Sequence, residues 1–226
     1  MLDLFCGQGG AAAGYADAGF DVIGVDIEDQ PRYPYDVIVG DALELLRQLL
    51  DRRAHPVIGY ALSDFDAIHA SPPCQGYSTV TPDRSKHSRM IPAVRGLLEA
   101  TGLPYVIENV EGARAEMRDP VRLCGSSFGL SVRRHRLFES SVPIEALPCD
   151  HAGQGTPVGV YGALRSRHWS RPDGTSRGRK ATSVEEARDA MGMQWADWHG
   201  CTQAVPPAYT EHIGRALMAH LEGVPA

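Results

Sequence analysis

LDLFCGQGGAAAGYADAGFDVIGVD, residues 2–26, sets the architecture of this chain. LDLF (2–5) is a short, mostly apolar run that reads as a strand. GQGG turns the chain, and AAAGYADAG (11–19) reads as a helix of small residues. FDVIGVD (20–26) is a second strand. The same alternation continues outward. YDVIVGD (35–41) leads into ALELLRQLLDRR (42–53), whose leucines recur at helical spacing. DFDAIHA (64–70) predicts a fourth strand ending in the turn SPPCQ. MIPAVRGLLEATG (90–102) predicts a helix, and PYVIENV (104–110) a fifth, buried strand. Such alternation predicts an α/β fold, a mostly parallel twisted sheet with helices on both faces. In these sheets ligands collect at the carboxyl ends of strands. Here those ends carry Cys6-Gly7, Asp26, Asp41, Cys74 and Glu108.

The second half changes character. RRHRLFES (133–140) reads as a strand with a basic entrance, and 141–180 is rich in Gly, Pro and Arg without periodicity. SVEEARDAMG (183–192) opens on a capping-box pattern, and AYTEHIGRALMAHL (208–221) is a closing amphipathic helix. The expected division is a catalytic and cofactor-binding core (1–140), a short basic recognition loop or small lobe (141–180), and C-terminal helices (181–226) that complete the core.

The 226 residues, 43% of them hydrophobic, suffice for one domain with a full core. A net charge of −6 gives no hint of a nucleic-acid partner overall. Five cysteines, an odd number without a CxxC pair, argue against a disulfide framework. No apolar run reaches the roughly 18 residues of a membrane span, and MLDLFCG shows no presequence pattern. The expectation is a cytoplasmic monomer.

Individual residues each carry a functional and a bland reading. The glycines of FCGQGG allow a tight turn and close approach of a ligand to a helix N-terminus, or serve architecture alone. Asp26 ends the second strand, where a carboxylate can take the hydroxyls of a ribose; a solvated strand-end acid is the alternative. Together they favour an adenosine-containing cofactor. Cys6, Cys124, Cys149 and Cys201 read as small core residues. Cys74 differs: after Pro72-Pro73 it projects from a stiffened turn and is a candidate thiolate nucleophile. Glu108 closes an apolar strand, so burial should raise its pKa and let it hold a proton near neutrality, unless it merely caps a loop. Cys149-Asp-His151 and His199-Gly-Cys201 could supply two Cys and two His, but CxH spacing is tighter than structural zinc sites usually use, so no metal is expected.

DLFCGQGG, SPPCQGYS, ENV, the Arg-x-Arg of 134–136 and QAVPP resemble, in this order, the motifs of cytosine-C5 methyltransferases. The resemblance spans nearly all of the chain outside 141–180. It implies a Rossmann-like class I fold, S-adenosylmethionine as cofactor, and DNA as substrate. A tRNA substrate, a non-catalytic homologue and transfer of a group other than methyl are the alternatives. By motif, Cys74 attacks C6 of a flipped cytosine and Glu108 binds its N3 edge. Arg134 and Arg136, sharing a face of their strand, grip phosphate and the base's O2. The cofactor pocket takes Phe5, Gly7, Gly9, Gly10, Asp26, Ile27, Asp41, Ala42, Pro73, Gln203, Ala204 and Val205. Gln75 and Ser78 hold the extruded nucleotide's backbone.

Three departures from the family pattern stand out. Val132 replaces the usual Gln before the Arg pair, and Gln203 replaces the usual Asn. The recognition segment is also very short. Within it, RSRHWSRPDGTSRGRK (165–180) holds six Arg/Lys against one Asp, with His168 and Trp169 interleaved. Arg165, Arg167, Trp169, Arg171, Arg177, Arg179 and Lys180 suit a phosphate backbone and an exposed base, or form a solvated polar loop.

Overall fold

A computed structural model describes residues 1–51, 59–79, 81–164 and 178–223. Strand β1 (Leu2–Leu4) lies mid-sheet between β2 (Ile23–Asp26) and β4 (Ile68–Ala70). β3 (Asp36–Val39) flanks β2, and β5 (Tyr105–Asn109) flanks β4; all five strands are parallel. β7 (Arg136–Ser140) then runs antiparallel between β5 and β6 (Val121–Leu123). The order is β3-β2-β1-β4-β5-β7-β6. Strand order reverses at β1, which opens a crevice above the carboxyl ends of β1 and β4.

Alternation along the strands sends side chains to two cores. Leu2, Leu4, Ile68, Ala70, Tyr105 and Ile107 meet the leucines of α2 (Ala42–Asp51) and Val94 and Leu98 of α3 (Ile91–Thr101). On the other face Val106 and Phe138 meet Ala12 and Tyr15 of α1 (Gly10–Asp17), with Tyr209, Ile213 and Leu217 of α6 (Pro207–Leu221). α1 is made of small residues because α6 lies directly on it: a Cβ at Gly14 would stand 2.0 Å from the Pro207 carbonyl oxygen. Thr210 Oγ1 donates to the Ala11 carbonyl at 2.8 Å across this contact. α3 is tied to β7 by a buried, two-pronged ion pair, Arg95 Nε and Nη2 to Glu139 Oε1 and Oε2 at 2.6 and 2.7 Å.

A third, smaller core joins Val132, Val158 and Val160 to α4 (Val184–Met191) and α5 (Trp198–Gln203). β8 (Val158–Gly159) pairs with β9 (Arg179–Lys180) beside it. Residues on both sides of position 180 therefore share one core. Ser183 caps α4 as expected, accepting from Glu186 N at 3.1 Å, while Glu186 Oε2 reaches back to Thr182 N at 2.7 Å.

β6, β8, β9 and α5 escaped the sequence reading, all of them short. β6 has only three residues, and α5 only six, held by Asp197 Oδ1 on Gly200 N at 2.8 Å. The strand expected from residue 133 starts only at Arg136, because Arg134 takes a left-handed φ of 31° and breaks the extended run. No helix among the described residues is long and apolar enough to cross a membrane.

Candidate active site

A cleft of about 460 Å³ lies at the reversal of strand order, within the size range of small-molecule sites. Its walls carry Phe5, Gly7, Gly10, Asp26, Ile27, Pro73, Cys74, Gln75, Glu108, Arg136, Gln203, Ala204 and Val205 of the residues singled out from sequence. One end is the glycine turn. Asp26 fastens it, its Oδ2 accepting from Gly7 N at 2.9 Å and its Oδ1 from Glu28 N at 3.0 Å. Each carboxylate oxygen keeps a lone pair for a further donor. Ile27, 68% exposed, offers an apolar surface at this edge.

The rear of the turn is closed by the distant segment 195–205. A Cβ on Gly10 would meet the Val205 carbonyl oxygen at 2.3 Å and the Ala204 Cβ at 2.8 Å, so only glycine admits this approach. Trp195 Nε1 donates to the Gln8 carbonyl at 2.6 Å, and Gln8 Oε1 accepts from Asp197 N at 3.0 Å. Sequence reading did not single out Gln8 or Trp195. Their pairing spans nearly the whole chain and leaves no local signal.

At the other end stand Cys74 and Glu108. The Pro-Pro turn folds over Cys74, whose carbonyl accepts from Tyr77 N and Ser78 N at 2.9 Å each. Asn109 Nδ2 donates to the Pro72 carbonyl at 2.9 Å, locking the turn to the end of β5 and so fixing the thiol relative to Glu108. Burial, and then the neighbouring Glu108, push the Cys74 thiol up, outweighing Arg136 and Arg134. The resting sulfur is therefore a thiol, not the activated thiolate the turn suggested. Burial also raises the Glu108 carboxyl, against the pull of Arg136, a hydrogen bond from Ser71 and Arg134. Arg136 Nε lies 3.0 Å from Glu108 Oε1, yet that oxygen has no hydrogen-bond partner. A buried acceptor left open in a cleft wall is costly unless a ligand donates to it.

Beneath Glu108 runs a buried polar chain missed in the sequence. Tyr15 hydroxyl meets His69 Nδ1 at 2.9 Å, and His69 Nε2 meets Ser71 Oγ at 2.9 Å. Burial pushes His69 down to about 3, so the imidazole stays neutral. Asp3, fully buried on β1 and lining the cleft, is pushed up to about 8, by burial first. A proton held there in the folded chain is released near 3.8 on unfolding, so native stability falls as pH rises from about 4 to 8. Asp3→Asn should remove that slope. Its melting temperature should exceed the wild type's by more at pH 8 than at pH 5, and an equal difference at both would refute the assignment.

Several expected site residues stand elsewhere. Asp41 caps α2, its Oδ1 accepting from Leu43 N and Glu44 N at 2.9 Å, and neither it nor Ala42 lines the cleft. Gly9 supports the turn from behind, with Tyr33 and Pro34 against its Cα. Arg134 corrects the expectation of two arginines on one face. It precedes the strand, and its guanidinium donates to the carbonyls of Val160, at 3.1 Å, and Thr202. It is a strut between the third core and β7. Lys180 is 8% exposed, donates to the Ala163 carbonyl and lies 5.4 and 5.6 Å over the rings of Tyr161 and Trp198. That enclosure corrects its reading as a backbone-phosphate contact. Arg179 pairs with Glu186. Arg165, Arg167, Trp169, Arg171 and Arg177 lie outside the described residues. Gln203 faces the cleft, whereas Ser78, half-buried, is not part of its lining and meets it through its N–H on the Cys74 carbonyl.

Residues 1–119, more than half of the chain, match the family described as C-5 cytosine-specific DNA methylase. The chain belongs to this family. It is 28% identical over 165 residues to the type II methyltransferase M.AgeI of Thalassovita gelatinovora, covering 61% of this chain and 38% of the relative. It is 28% identical over 229 residues to M.XorII of Xanthomonas oryzae pv. oryzae, covering 98% and 45%. This methylase-family chain thus spans less than half the length of either relative. Its fold is shared with a mutant of Spodoptera frugiperda DNMT2, at a TM-score of 0.62 and 14% identity, over 96% of this chain and 98% of that one. That likeness supports the Rossmann-like class I architecture.

Proposed function

We propose that this chain is a DNA cytosine-C5 methyltransferase that uses S-adenosylmethionine. The observation carrying the proposal is the convergence of a turn-mounted thiol, Cys74, and an open buried carboxyl, Glu108, in one cleft with the Asp26-fastened glycine turn. The cleft's other end fits the cofactor: the Asp26 carboxylate for ribose hydroxyls, Ile27 for a purine face, and Phe5, Gly7, Gly10, Ala204 and Val205 around the methionine portion. When bound, S-adenosylmethionine supplies the electrophilic methyl group that C5 of the base takes.

The chain's own residues prepare and restore the base. Cys74 Sγ adds to C6 of cytosine and loses its proton to solvent as the S–C bond forms. The ring electrons move toward N3, where the Glu108 carboxyl delivers its proton; Glu108 is left as a carboxylate beside Arg136. The ring is then electron-rich at C5. After methylation the C5 proton leaves to solvent, the S–C6 bond breaks, the departing Cys74 thiolate takes a proton from solvent, and Glu108 takes its own proton back. In a duplex the base face is covered, so the target must first leave the stack, at a cost of a few kcal/mol. The segment 141–180 is the part of the chain assigned to recognition, and its shortness suits a very short target sequence.

The test is transfer of labelled methyl from S-adenosylmethionine to duplex DNA, single-stranded DNA and tRNA offered in one competition. Label at C5 of cytosine in DNA is expected. Label confined to tRNA would overturn the substrate, and no label in any acceptor would overturn the activity.

A further inference from the structure

Cys124 follows β6, His135 sits between Arg134 and Arg136 at the entrance to β7, and Cys149 and His151 lie in the segment after β7. Their four donor atoms all lie within 4.8 Å of one another, the one group of three or more such residues among those described. Cys124 Sγ is 3.3 Å from His151 Nε2, and Cys149 Sγ is 3.6 Å from His135 Nε2. A tetrahedral ion with metal–sulfur bonds of about 2.3 Å and metal–nitrogen bonds of about 2.05 Å sets sulfur and nitrogen about 3.6 Å apart. Weak S–H···N contacts explain one pair at a time. They give no reason for two thiols and two imidazoles from three chain segments to meet at a point.

The surroundings have the form of a supporting shell. His135 turns its other nitrogen, Nδ1, to Glu111 Oε2 at 3.6 Å, the carboxylate–imidazole arrangement that orients a metal-binding histidine. Arg133 Nη2 donates to the His151 carbonyl at 3.4 Å, and Asp150 N donates to Ser126 Oγ at 3.0 Å. Gly153 N closes a turn on Asp150 Oδ1 at 2.8 Å, which sets the course of the Cys149-Asp150-His151 loop. The tight CxH spacing is no obstacle, because the loop already sets the donor atoms of Cys149 and His151 within 4.8 Å of each other. The partners are Cys124 and His135, not the His199 and Cys201 that spacing had offered.

We propose that Cys124, His135, Cys149 and His151 form a structural Zn²⁺ site. Two thiols and two imidazoles select zinc over magnesium or calcium, and four protein ligands leave no open position for catalysis. Binding forms two Zn–S and two Zn–N bonds and releases two thiol protons to solvent, leaving the centre neutral. The ion fastens the recognition segment to the chain between the two arginines, one of which contacts Glu108.

The full chain, purified without metal-affinity steps and passed through gel filtration, should carry one zinc per chain by elemental analysis. Mercurial titration of its thiols should release that zinc in step. Loading with Co²⁺ in place of zinc should give thiolate-to-metal charge transfer and tetrahedral d–d absorption. Cys149→Ser and His151→Gln should each hold less than about a tenth of the wild-type zinc. The titration and the cobalt spectrum need only wild-type protein, so misfolded variants would not blunt the test. Wild-type protein that takes up neither ion stoichiometrically, or that shows a Cys124–Cys149 disulfide by mass, would overturn the site. So would variants that retain full zinc.

Discussion

Cys74→Ser should bring methyl transfer to background while S-adenosylmethionine still binds within about twofold of the wild type, as expected when only a covalent step is lost. The sulfur rests as a thiol because burial and Glu108 outweigh the two arginines. A thiol can still ionise when the base arrives; an alcohol cannot without a strong general base. His69, behind Glu108, offers none, since it is fully buried and engaged by Tyr15 and Ser71. DNA containing 5-fluorocytosine separates this from simple misplacement. Wild-type chain should accumulate a covalent adduct, stalled for want of a C5 proton to lose, and the serine variant should form none. An adduct with Cys74→Ser, or turnover above about one per cent of wild type, would place the nucleophile elsewhere.

Glu108→Gln should slow transfer by about 10²- to 10⁴-fold, the usual worth of a positioned acid, with a much smaller change in DNA affinity. The amide can still meet the base edge from the cleft wall but has no proton to give N3. The pH dependence supplies the sign. Burial holds the Glu108 carboxyl protonated above the ordinary carboxylate range, so wild-type acid function is present below that raised value and fades as pH climbs through it. That loss of rate should vanish in the glutamine variant. A variant that keeps the wild-type profile would show that the limb belongs to another group.

How much of this was visible in the sequence follows from the range of the interactions. The parallel sheet was legible because each strand and helix announces itself over a few residues, as in LDLF and ALELLRQLL. Cys74 and Glu108 were placed at strand ends by the same local signals, Pro72-Pro73 and the apolar run before the acid. Position relative to distant chain was not legible. Arg134 looked like a strand residue until the third core claimed its guanidinium through Val160 and Thr202. Lys180 looked like part of a basic loop, but Tyr161 and Trp198 enclose it. Asp41, expected in the cofactor pocket, caps its own helix and does not line the cleft. The Cys and His residues were read from spacing within short windows, whereas Cys124 and His135 come together through the pairing of β6 with β7, where Leu123 stands opposite Arg136.

The seating of α6 on α1 has a consequence for synthesis. The Thr210 hydroxyl bonds a carbonyl 199 residues upstream. At a ribosomal pace of 5–20 residues per second, on the order of 10–40 s separate the emergence of the two helices. Throughout that interval the alanine-rich side of residues 10–17 has no cover, and the glycine turn has no back wall. A nascent chain stalled before residue 207 should therefore bind hydrophobic-surface dyes and holding chaperones, and release them only once the last helix clears the exit tunnel.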